Sequence, residues 1–74
     1  MTKETLKKLN NKQKHYLENT SYFIEKARSQ CINSNNEFLV RYKGMLRGYL
    51  DCLAENGFIS EQEKRILFLW YLEK

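Results

Sequence analysis

Residues 37–56, EFLVRYKGMLRGYLDCLAEN, are the longest stretch of the chain in which apolar side chains recur with helical spacing. Leu39, Tyr42, Leu46, Tyr49 and Leu53 follow one another at steps of three and four, on one face of an α-helix. Further apolar residues widen this face, namely Phe38, Met45, Leu50, Cys52 and Ala54. Only a narrow polar strip of the helix remains. A helix with so wide an apolar face must pack against neighbouring helices on two sides. The stretch is therefore predicted to be the middle helix of a bundle.

The residues before it, 2–32, are predicted to form one long helix that ends at a loop of polar residues, 33–36 (NSNN). Large apolar side chains recur in it every seven positions: Leu9, Tyr16 and Phe23. Such a stripe is typical of a helix in an antiparallel bundle. The alternative is a break at Asn10–Asn11 or at residues 19–21, where weak helix formers cluster.

The end of the central helix and the start of the next carry the sharpest local signals. Gly57 is typical of the left-handed residue that ends a helix. Ser60 and Glu63 have the spacing of a capping box, in which each side chain accepts a hydrogen bond from the other residue's backbone N–H. The predicted fold is therefore all-α, a three-helix antiparallel bundle in one domain of residues 1–74, with helices at 2–32, 36–56 and 60–73.

The position of the loop sets the register of the first two helices. A turn near Ser34–Asn35 places Leu17 opposite Cys52. Cys31 and Cys52 then lie about 20 Å apart along the bundle axis, whereas a disulfide needs Cα atoms within about 7 Å. We therefore expect no bridge between them, in agreement with a reducing compartment.

The predicted lengths of these two helices do not match. A helix over 2–32 spans about 45 Å and the central helix about 30 Å. Residues 2–12 would thus project beyond the central helix and leave Leu6 and Leu9 uncovered. This is the first reason to expect a partner.

The apolar run at 66–72, ILFLWYL, is the second reason, because a three-helix chain cannot cover every face of it. The predicted orientation turns Ile66, Leu69 and Trp70 inward and Phe68, Tyr71 and Leu72 outward. Two-fold pairing is the commonest way to cover such surfaces, so the sequence predicts a homodimer. The candidate dimer or partner interface comprises Leu6, Leu9, Phe68, Trp70, Tyr71 and Leu72.

Basic residues form the other candidate site. Residues 1–15 hold five lysines against one glutamate, a net of +4, which equals the formal charge of the whole chain. Gly44 and Gly48, one turn apart on the central helix, make a notch between basic side chains; the alternative is that a neighbouring helix packs closely there. The candidate contacts to an anion or nucleic acid are Lys3, Lys7, Lys8, Lys12, Lys14, Arg41, Lys43, Gly44, Arg47 and Gly48. Lysine at this density favours unspecific phosphate attraction, the alternative being a solvated helix end.

Enzyme chemistry is not expected. His15 is the only histidine and has no further metal ligands at suitable spacing, and the carboxylates form no convergent pair. We therefore predict no catalytic residue, no metal and no cofactor. The longest apolar run, seven residues, is far too short to cross a membrane, and the charged N-terminus does not resemble a signal peptide, so a cytoplasmic protein is expected.

Two functions are consistent with these features. The first is a small helical regulator or adaptor that binds itself and another protein through aromatic surface. Analogy of fold would allow an accessory protein of a bacterial mobile element that inhibits or modulates a host factor. The alternative is a nucleic-acid-associated protein that uses its lysine-rich N-terminal helix. A helix-turn-helix reader is disfavoured, because the helix after Gly57 carries ILFLWYL where a recognition helix carries polar residues.

Overall fold

The computed structural model describes residues 2–29 and 37–73, and all of its regular structure there is helical. The helices are α1 (Thr2–Leu6), α2 (Asn11–Ser29), α3 (Glu37–Glu55) and α4 (Glu61–Glu73). The all-α prediction is confirmed, and the predicted bounds of α3 and α4 are correct to within one residue. The predicted loop at 33–36, the end of the first helix at 30–32 and the Cys31–Cys52 pair lie outside the described residues.

The predicted continuous helix over 2–32 is wrong, because the chain leaves helical geometry at residues 7–10. Asn10 and Gln13 form a reciprocal cap there: the Asn10 N–H donates to Gln13 Oε1 at 2.8 Å, and the Gln13 N–H donates to Asn10 Oδ1 at 2.8 Å. This capping box starts α2, so the alternative of a break at Asn10–Asn11 is correct.

The N-terminal segment turns back onto α4 instead of projecting. Thr5 Oγ1 donates a hydrogen bond to Glu63 Oε2 at 3.1 Å, and Lys8 Nζ lies 2.8 Å from the same oxygen. Leu9 is buried and Leu6 packs against the core. The expectation that Leu6 and Leu9 are uncovered is therefore wrong, since the break lets α1 cover its own apolar side.

The two predicted caps near the C-terminal end of the bundle are confirmed. Gly57 has a φ of 81°, and the Phe58 N–H donates to the Leu53 carbonyl at 3.0 Å, which is the Schellman arrangement. The Ser60 N–H donates to Glu63 Oε1 at 2.8 Å, and the Glu63 N–H donates to Ser60 Oγ at 3.1 Å.

The core lies between α2, α3 and α4. Its fully buried side chains come from all three helices: Leu17, Ile24, Leu46, Leu50, Leu67 and Tyr71. Leu9, Leu53 and Ile59 extend it toward α1 and the α3–α4 connection. No buried side-chain nitrogen or oxygen among the described residues lacks a hydrogen-bond partner.

The predicted orientation of α4 is wrong. Leu67 and Tyr71, one turn apart, face the core, whereas Leu69 and Trp70 are 55% and 45% exposed. Because the run at 66–72 is apolar on every side, its sequence does not determine which side of α4 faces the core. Hydrogen bonds from α2 to the backbone of α4 help to hold the observed rotation. Ser21 Oγ donates to the Tyr71 carbonyl at 2.7 Å, and Arg28 Nη2 donates to the Leu72 carbonyl at 2.9 Å.

The register of α2 against α3 also differs from the prediction, which would set Tyr16 opposite residue 53. The ring of Tyr16 instead lies 4.2 Å from the ring of Tyr49, four residues earlier. Phe23 stacks on Tyr42 with ring centroids 5.4 Å apart, in the same register. The packing of these aromatic rings therefore determines the register of α2 against α3. The assumption that the turn lies at the midpoint of the loop does not predict it.

Candidate functional site

The most distinctive surface is a strip of large side chains along the seam between α2 and α3. We define the aromatic strip as Tyr16 and Phe23 of α2 together with Tyr42, Met45 and Tyr49 of α3. The Tyr16–Tyr49 pair is tilted by 34° and the Phe23–Tyr42 pair is stacked at 18°. Met45 lies one turn from both Tyr42 and Tyr49, and is 41% exposed.

The strip is exposed because of where α4 packs. Ser21 and Arg28 hold α4 on one edge of α2, and Tyr16 and Phe23 occupy the other edge. On α3, Asp51 bonds Lys64 of α4 at 2.8 Å, on the side away from Tyr42 and Tyr49. Tyr16 remains 38% exposed and Phe23 44% exposed. The bundle therefore covers the inner side of the seam and leaves its outer side open.

Two more aromatic residues extend this surface. Tyr22 contacts Phe23 edge-on, with ring centroids 5.6 Å apart. Phe38, at the start of α3, is 61% exposed, and the Arg41 guanidinium carbon lies 5.9 Å from its ring centroid. Exposed or half-buried apolar residues thus recur at helical spacing from the first turn of α3 to its fourth, and Arg41 places a cation at one end of this surface.

The charged residues one helical turn from the strip are all basic. Lys12 precedes Tyr16 by four residues, Lys26 follows Phe23 by three, and Arg41 precedes Met45 by four. All three are exposed. We call Lys12, Lys26 and Arg41 the basic rim. An apolar surface with such a rim is complementary to an apolar partner surface bordered by carboxylates.

The chemistry available to the strip is packing and hydrogen bonding. Burial raises the pKa of Tyr49, with smaller contributions from Tyr16 and Cys52. Cys52 is an exposed free thiol, and Asn56 Nδ2 lies 3.4 Å from its sulfur. Among residues 2–29 and 37–73, no three His, Cys, Asp or Glu side chains are placed to hold a metal ion.

The interface residues predicted from the sequence do not form one surface. Leu9 and Tyr71 belong to the buried core, and Leu6, Phe68 and Leu72 are partly buried against it. Trp70 alone of the six is strongly exposed, at 45%. The prediction that Tyr71 faces outward is wrong, since only 1% of it is exposed.

The predicted basic contacts divide into free and committed side chains. Lys3, Lys7 and Lys12 are exposed and Lys14 is half-buried, whereas Lys8 bonds Glu63. On α3, Arg41 and Arg47 are exposed and Lys43 is half-buried. The Gly44–Gly48 notch is open, with no other described atom within 4 Å of a Cβ built at either glycine, so no helix of the described chain packs against it.

The sequence contains a periodic signal for the aromatic strip, but the same signal is typical of a buried core. Tyr16 and Phe23 are seven residues apart, as are Tyr42 and Tyr49, so each pair was expected to lie on an inward face. Helical spacing shows which residues share a face, but not which edge of that face a third helix leaves uncovered.

Comparison with protein-family models, with curated proteins and with solved structures gives no match. Within the described ranges, no helix has both the length and the apolar character needed to cross a membrane.

Proposed function

We propose that the protein is a non-enzymatic binding module that regulates or adapts another protein by docking it on the aromatic strip. The observation that carries this proposal is the pair of ring contacts, Tyr16–Tyr49 and Phe23–Tyr42, held at an open seam. Aromatic side chains and methionine are enriched at protein interfaces, and rigid aromatic groups supply much of the binding energy there.

The proposed occupant is an amphipathic helix of the partner with acidic residues beside its apolar face. Two antiparallel helices form a shallow groove at their seam, and a third helix can lie in it with its apolar side down. Its carboxylates would then face Lys12 and Lys26 on one side and Arg41 on the other. Such pairs contribute more to specificity and association rate than to affinity.

A second copy of this chain is a poorer occupant. Two strips face to face would bring their basic rims together, and repulsion between like charges opposes that arrangement. The N-terminal surplus that led the sequence to predict a homodimer is also smaller, since Leu9 lies in the core and Leu6 packs against it. Self-association is therefore one of the outcomes that the test below distinguishes.

The test uses two synthetic helical peptides with the same leucine face, one flanked by glutamates and the other by lysines. We expect the glutamate peptide to shift the amide resonances of Tyr42, Met45 and Tyr49, and the lysine peptide to bind at least about tenfold more weakly. Met45→Glu should abolish binding, whereas Val40→Glu, at a 71% exposed apolar position of the same helix outside the strip, should not.

Three results would overturn parts of this proposal. Equal binding of both peptides would remove the role of the basic rim. Shifts confined to residues outside the strip would show that the surface is wrong. A dimer in sedimentation that Met45→Glu dissociates would show that the occupant is a second copy.

Nucleic acid remains the second candidate, because Lys3, Lys7 and Lys12 stay exposed in and beside α1. Lys8 no longer supports it, since that side chain is committed to Glu63. Unspecific binding by three or four lysines would be weak and steeply salt-dependent.

A further inference from the structure

A second groove lies at the seam between α3 and α4, on the side of α3 away from the aromatic strip. Its volume is about 410 Å³, within the range of grooves that hold peptide side chains or small ligands. Leu50 of α3 and Phe68 and Leu69 of α4 provide the apolar part of its lining. Leu50 belongs to the fully buried core, so this part of the groove is continuous with it.

The groove also contains a set of five charges. Lys64 Nζ lies 2.8 Å from Asp51 Oδ1 and 2.7 Å from Glu61 Oε2. Its hydrogen bond holds the pKa of Asp51 below its usual value, so that carboxylate stays ionised. Lys64 thus bonds both carboxylates of the groove, and it offsets part of the negative charge that would otherwise repel an anion.

The remaining two charges are arginines, one from each helix. Arg47 and Arg65 line the groove and are exposed. Neither makes an ion pair or a side-chain hydrogen bond with another described residue. The groove therefore has three positive charges against two negative ones. Arg47 also attracts the Asp51 carboxylate electrostatically, but neither guanidinium group has a hydrogen-bond partner among the described residues.

We propose that this groove is a second docking site, which takes a peptide segment of a partner protein with a carboxylate side chain next to an aliphatic one. The carboxylate lies between Arg47 and Arg65, and the aliphatic side chain packs on Leu50, Phe68 and Leu69. Guanidinium groups suit this task because their planar donors match the two oxygens of a carboxylate.

The site is separate from the aromatic strip. Asp51 lies on the flank of α3 that faces α4, where it bonds Lys64 of α4, while Tyr42 and Tyr49 lie on the flank that faces α2. One partner could therefore occupy either groove without covering the other, and the second site does not depend on the proposed function.

The experiment follows amide resonances during titration with a capped hexapeptide of alternating glutamate and leucine. The matched probe replaces each glutamate by glutamine. We expect the acidic peptide to shift the resonances of Leu50, Lys64 and Phe68, and the neutral peptide to bind about fivefold more weakly. Arg47→Gln/Arg65→Gln should remove the difference between the two peptides.

Two controls locate the effect. Lys3→Gln/Lys7→Gln removes the same number of charges from α1 and the residue that follows it, and should leave the preference for the acidic peptide intact. Met45→Glu, which tests the aromatic strip, should leave it intact as well. Equal affinity for both peptides in the wild type would overturn the second site without bearing on the first. Shifts at Tyr42 and Tyr49 only would also overturn it, and would place the acidic peptide on the aromatic strip.

Discussion

Lys8 Nζ lies 2.8 Å from Glu63 Oε2 and so joins the N-terminal segment to the first turn of α4, across 55 residues of sequence. The same carboxylate accepts hydrogen bonds from Thr5 and from the Ser60 backbone. One side chain therefore both caps α4 and holds α1 in place. Together with the break before Asn10 and the burial of Leu9, this connection keeps α1 folded back on α4.

Stability should depend on the ionisation of Glu63. The hydrogen bond from Lys8, followed by those from Ser60 and Thr5, lowers the pKa of Glu63 from 4.5 to about 2. A folded-state pKa below the unfolded value stabilises the protein at pH above 4.5, and this contribution is lost as the pH falls toward about 2. Glu63→Gln should lower the thermal midpoint at neutral pH and flatten its decline in acid, measured by circular dichroism. Glu73→Gln, at the far end of α4, should leave that decline unchanged.

Tyr71 and Trp70 should differ sharply in their contribution to stability. Tyr71 is 1% exposed and Trp70 is 45% exposed. Truncating a buried aromatic residue costs about 3–5 kcal/mol, so Tyr71→Ala should unfold much of this small domain. Trp70→Ala should cost about 1 kcal/mol or less. Denaturant titration of both variants decides this, and similar losses would mean that α4 is rotated differently.

The glycines should respond to alanine with opposite signs. Gly57 has a φ of 81°, which strains any residue with a Cβ, so Gly57→Ala should cost about 1–2 kcal/mol. Gly44 is in the middle of α3 with nothing within 4 Å of an added Cβ. Gly44→Ala should therefore stabilise the protein by about 1 kcal/mol. A destabilised Gly44→Ala variant would indicate that something packs on the notch in solution.

The capping boxes at Asn10 and Ser60 should each contribute about 1 kcal/mol. Asn10→Ala removes the acceptor for the Gln13 N–H, and Ser60→Ala removes the acceptor for the Glu63 N–H. Denaturation midpoints report both losses. An unchanged midpoint in either variant would show that its cap does not form in solution.

Salt dependence tests the nucleic-acid alternative. If the exposed lysines bind phosphate, affinity for DNA of any sequence should fall steeply with salt, and Lys3→Glu/Lys7→Glu should abolish it. Lys8 is left intact because its substitution would also release Glu63. Absence of binding at low salt would eliminate this function.

Several features could be predicted because neighbouring residues determine them. The start of α4 depends on Ser60 and Glu63, three residues apart, and the end of α3 depends on Gly57. The same logic applies to Asn10 and Gln13, whose capping spacing was present in the sequence. A local hydrogen bond needs only short-range information, so a local pattern is sufficient to predict it.

The surfaces that carry the proposals depend on contacts between distant parts of the chain. The capping box before residues 66–72 predicts that this run is helical. Because the run is apolar on every side, its sequence does not show which side faces inward. Ser21 and Arg28 decided that rotation from α2. Ring packing of Tyr16 on Tyr49 decided the register. Periodicity determined the helices and their apolar faces, while tertiary structure decided which edges of those faces remain open, because exposure depends on the position of every other helix.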